Sequence, residues 1–123
     1  MGIFDLFNKK AIISTFQNDF DKIRTANHDV QIAVAQKVFT EIDDIRKLSL
    51  DNLNQLRPQL LTKYKNLRNN SLKNGATNEL DPDYAYASLL ESVMLSMGND
   101  EVFGKIMNDL MGWFSLLGII KKE

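Results

Sequence analysis

Cysteine is absent from these 123 residues. That excludes disulfides, thiolate metal sites and a cysteine nucleophile, and it fits a reducing compartment. Proline occurs twice and glycine six times, so little interrupts long regular elements. There is one histidine, His28, at an expected helix break, where a loop or capping role suits it better than general-base work. Charge of one sign is also lacking: the net is −1, which gives no general attraction to nucleic acid or anionic lipid. The longest nearly apolar run, Leu110 to Ile120, is too short for a membrane span of about 20 residues. The opening Met1 to Lys10 is not read as a signal peptide, because its charges follow its apolar residues. Leu6 stands where a myristoylation signal would want Ser or Thr.

What is present is helical spacing. No alternating strand pattern persists. Ile12, Phe16, Phe20 and Ile23 form one stripe, with Leu6 and Phe7 either extending it upstream or forming a separate turn. Val30, Val34, Val38, Ile42 and Ile45 form a second, behind a cap at Asn27 or Asp29. Its opposite face, including Gln31, Lys37, Glu41 and Asp44, reads as solvated. After a restart capped by Ser49 or Asp51, Leu53, Leu56, Leu60, Tyr64 and Leu67 continue the rhythm. Pro58 lies inside it and predicts a kink or break near Arg57, because it removes a donor and crowds the preceding turn. Asn69 to Asn78 reads as a long loop. Asp81-Pro82-Asp83 is a strong helix start, and Gly98-Asn99 ends that helix and caps the next. The last helix is predicted to reach Lys122.

These patterns predict an all-α fold: one helical domain over 1–123, an antiparallel bundle of four to five helices, kinked or broken near Pro58. The C-terminal helix is expected at its centre or at an interface, because beyond Leu110 it is apolar nearly all round. It has three readings: a core helix, a partner or dimer surface, or an interfacial membrane anchor. The residues for the latter two are Trp113, Phe114, Leu116, Leu117 and Ile120. Gly104, Asn108 and Gly112 make a small-residue row beside them, which allows another helix to approach or is ordinary packing.

Charge is unevenly spread. Lys63, Lys65, Arg68 and Lys73 carry no acid among them, whereas Glu79, Asp81, Asp83, Glu91, Asp100, Glu101 and Asp109 face only Lys105. Several of these acids serve helix N-termini. The functional reading is an acidic surface for a basic partner, made of Glu79, Asp83, Glu91, Asp100, Glu101 and Asp109. No zinc spacing, phosphate loop, Ser-centred elbow or Glu-x-x-His pattern occurs. No catalytic, cofactor or metal residue is therefore assigned, and the chain is expected not to be an enzyme. Nucleic acid is not an expected partner.

The profile (short, cysteine-free, without catalytic motif, with an acidic stretch) resembles the small helical immunity proteins that neutralise bacterial toxins. The resemblance implies a cytoplasmic bacterial protein whose partner is another protein, such as a basic toxin domain. It is one of profile and carries no site residue to this chain. The expectation is a non-catalytic protein-binding module. Its alternative is a peripheral membrane or self-associating protein using the C-terminal helix, as a homo-oligomer or at the inner membrane surface.

Overall fold

The computed structural model of the chain describes residues 3–73 and 82–120, with side chains over 10–71 and 82–120. Five helices pack into an all-α bundle: α1 Ile3–Arg24, α2 His28–Arg46, α3 Leu50–Lys73, α4 Pro82–Ser96 and α5 Asp100–Leu116. α1 is one helix from Ile3, so Leu6 and Phe7 belong to it rather than to a separate turn. Asn27 caps α2 by accepting the Asp29 amide, Ser49 caps α3 by accepting that of Asn52, and Asn99 caps α5 by accepting that of Val102. Each satisfies an amide that the helix itself leaves without a partner. Asn99→Ala is expected to lower stability by about 1 kcal/mol, read as a shift in the urea midpoint at unchanged slope.

Three elements differ from the sequence pattern. α3 runs unbroken through Pro58, so a new helix does not begin there. Pro58 and Asn54, whose carbonyl loses its donor, are both exposed, and water can serve that carbonyl. The predicted loop at Asn69 is helix as far as Lys73, and Ser71 within it is buried; residues 74–81, with Asp81, lie outside the described residues. α5 ends at Leu116 rather than at Lys122. Gly118 takes a left-handed φ of +77°. Its amide donates to Ser115 O at 3.1 Å, and the Ile119 amide donates to Phe114 O at 2.8 Å. This is a Schellman closure, which glycine enters without a Cβ penalty.

The helix at the centre is α4, which packs against each of the other four. Its two acids are spent on neighbours: Asp83 pairs with Lys37 and Glu91 with Arg68. Along the helix Ala85, Ala87, Ser88, Leu89, Leu90, Ser92, Val93 and Met94 are buried. Ser88 donates to Asp19 of α1 at 2.7 Å. Small side chains let neighbouring helices approach α4 from several directions. Contacts also give the directions. Lys37–Asp83 and Glu41–Tyr86 advance together, so α2 and α4 are parallel. Arg57–Met94 and Tyr64–Tyr86 run oppositely, so α3 between them in sequence is antiparallel to α4. One buried cluster joins α1, α2, α4 and α5, with Tyr64 from α3.

Candidate functional site

α5 is amphipathic where the structure ends it. Val102, Ile106, Leu110, Trp113 and Phe114 face the core. A second row, Phe103, Met107 and Met111, stands at four-residue spacing beside them and is only half-buried. With Ile42, Ile45 and Arg46 of α2 and Val93 and Met97 at the end of α4, this row lines an open groove of about 460 Å³. Gly104 and Asn108 form its outer lip. Both Gly104 and Gly112 have open space where a Cβ would stand, so among the described residues no helix uses the small-residue row for close approach. The groove is apolar at its floor, carries one cation at its edge and contains three methionines. Methionine is unbranched and polarizable, so such walls adapt to differently shaped apolar side chains.

The predicted apolar interface separates. Trp113 and Phe114 are core residues, 3% and 0% exposed. Trp113 donates Nε1–H to Gln31 Oε1 at 3.1 Å and meets Phe20 edge-on. Leu117 and Ile120 fold back, half-buried, against the core. Leu116 alone of the set stands out, 84% exposed. These placements leave no continuous apolar face on the C-terminal helix of the size its sequence suggests.

The predicted acidic surface separates as well. Glu79 lies outside the described residues. Asp83 is exposed but 2.8 Å from Lys37, Glu91 is 2.7 Å from Arg68, and Asp109 is 3.6 Å from Lys105. Asp100 and Glu101 are exposed in the first turn of α5, where the helix dipole favours them. The uneven charge along the chain is thus in good part matched within the chain: the basic α3 meets acids of α2 and α4.

Glu41, read from the sequence as solvated, is one of those acids. It accepts a short hydrogen bond from Tyr86 and lies 3.5 Å from Lys63. Beside it the Tyr64 hydroxyl is buried and makes no hydrogen bond of ordinary geometry. Burial first, and Glu41 with it, pushes both tyrosines well above the usual tyrosine range, so both stay protonated in neutral solution. The cluster joins three helices, and its geometry is that of a structural tie.

Among the described residues no group of three or more His, Cys, Asp or Glu is placed to hold a metal ion. Among the same residues no helix is long and apolar enough to cross a membrane. His28 is exposed at the first position of α2. No protein family, curated protein or solved structure matches this chain.

The groove escaped the sequence reading, which took the helix beyond Leu110 as apolar nearly all round and gave Met107 no role. The signal was there: Phe103, Met107 and Met111 form their own row, turned away from Ile106, Leu110 and Trp113.

Proposed function

We propose that this chain is a non-catalytic protein-binding module that masks a partner, and that its contact surface is the methionine-lined groove between α2, α4 and α5. The groove is the observation that carries the reading. An apolar trough beside a helix takes an amphipathic helical segment, whose anchors recur every three or four residues. Phe103, Met107 and Met111 repeat at that spacing on the groove wall. Arg46 at the edge would meet an acid of the segment, while the exposed Asp100 and Glu101 start the α5 wall and would meet a base. The acidic residues proposed from sequence therefore narrow to these two. Masking a toxin in the manner of an immunity protein is the specific form of this function that the profile favours.

The test has two stages. A partner recovered from the source cell is purified separately and its affinity for this chain is measured. Met107→Glu, with unchanged helix content, is expected to weaken that affinity by tenfold or more, about 1.4 kcal/mol. Equal affinity of Met107→Glu and Met111→Glu with the parent would refute the groove as the contact surface. Recovery of monomer alone at every salt concentration would count against the whole reading.

A further inference from the structure

α3 is attached differently from the other helices. It lies against α4 as the most extensive helix pair of the bundle, but that is its one large contact: among the described residues it gains at most marginal contact from α1, α2 or α5. Of its described side chains only Tyr64 and Ser71 are buried, while Leu53, Leu60, Leu61 and Leu67 are half-covered against the core. Its other attachments are charged. Arg68 meets Glu91 of α4 at 2.7 Å, Lys63 meets Glu41 of α2 at 3.5 Å, and Arg57 Nε donates to the Met94 carbonyl of α4 at 3.0 Å. The one fully buried large side chain, Tyr64, brings into the seam a hydroxyl that lies beside the Glu41 carboxylate without a hydrogen bond of ordinary geometry, so its burial is only partly offset. A helix with few buried apolar contacts opens at a lower free energy than the core around it.

We infer that α3 is a salt-sensitive latch: it undocks from α4 as a unit, before the rest of the bundle unfolds, and the Arg68–Glu91, Lys63–Glu41 and Arg57–Met94 contacts hold it closed. Screening acts on this seam more than on the rest of the core, because its contacts are charged and partly exposed. Undocking uncovers the side of α4 that carries Met94, the helix on which α1, α2 and α5 also rest. The feature that reads along the sequence as a split of charge is in this account a fastening.

Hydrogen exchange of the full chain, followed by mass spectrometry, tests it. Amides within 58–70 are expected to exchange together and faster than those of α4 and α5. Raising sodium chloride from low to high concentration should lower the protection of 58–70 while that of α4 stays nearly constant. Arg68→Ala should lower it by roughly fivefold. Tyr64→Phe, which removes the poorly bonded buried hydroxyl but keeps the ring, should raise it. Exchange of 58–70 at the free energy of α4 would overturn the inference. So would early opening that ignores both salt and Arg68→Ala, since the charged contacts would then hold nothing.

Discussion

Leu90→Ala is expected to destabilise the bundle by about 2–5 kcal/mol and to lower its melting temperature by roughly 10–20 °C. Leu90 is 0% exposed and sits on α4, the helix against which every other helix packs. The alanine loses the transfer free energy of the deleted carbons. It also leaves a cavity, which closes only as far as neighbours can move, and neighbours held on several sides move little. Leu116→Ala is the matched control. Leu116 is 84% exposed, so the same deletion should change stability by no more than about 0.5 kcal/mol. Calorimetry of the two variants decides the matter. Equal melting temperatures would show that α4 is not the centre of the fold.

Trp113→Ala should be at least as damaging, at about 3–5 kcal/mol, read from chemical denaturation. The indole contributes three things at once. It fills core volume, it meets Phe20 with ring centroids 5.5 Å apart, and its N–H occupies Gln31 Oε1. Gln31 in turn donates Nε2–H to Ala26 O at 2.9 Å, so the indole braces the turn between α1 and α2 from across the bundle. Trp113→Phe keeps most of the ring and loses the hydrogen bond, and its cost should fall well below that of alanine. Trp113 is the single tryptophan, so its fluorescence reports this site alone. Anionic vesicles should leave the emission of the folded chain unchanged, because a residue 3% exposed cannot enter a lipid surface without unfolding. A blue shift with gain of intensity on lipid would restore the membrane reading of the C-terminal helix.

Much of the architecture is written locally, and local features were legible. The stripe Val34, Val38, Ile42 and Ile45 is the buried face of α2, and Asn27 and Asn99 cap the helices they precede. What was not legible depends on partners distant in sequence. Ser88, Ser92 and Ser96 look like a polar face, yet all three are buried; the Ser88 hydroxyl bonds to Asp19 of a neighbour and that of Ser96 to the Val93 carbonyl of its own helix. α4 therefore hides its centrality behind an ordinary one-sided stripe. α5 shows the opposite error. Its apolar excess is real in composition, but the turn at Gly118 folds Ile119 and Ile120 back onto the core. Gly118, near the end of the apolar run Leu110 to Ile120, was the available clue. The candidate site needed three helices to form, and no single stretch of sequence contains it.

The position of α4 in the chain has a consequence during synthesis. The helix that α1, α2 and α3 require is made after all of them: α3 ends at Lys73 and α4 at Ser96. At the usual pace of translation, this interval lasts about one to five seconds. Over that time Phe16, Val38 and Tyr64 lack the surface that covers them in the finished protein. Until its fourth helix arrives, the emerging chain carries that apolar surface uncovered. A chain stopped before Pro82 should aggregate, where the full chain does not.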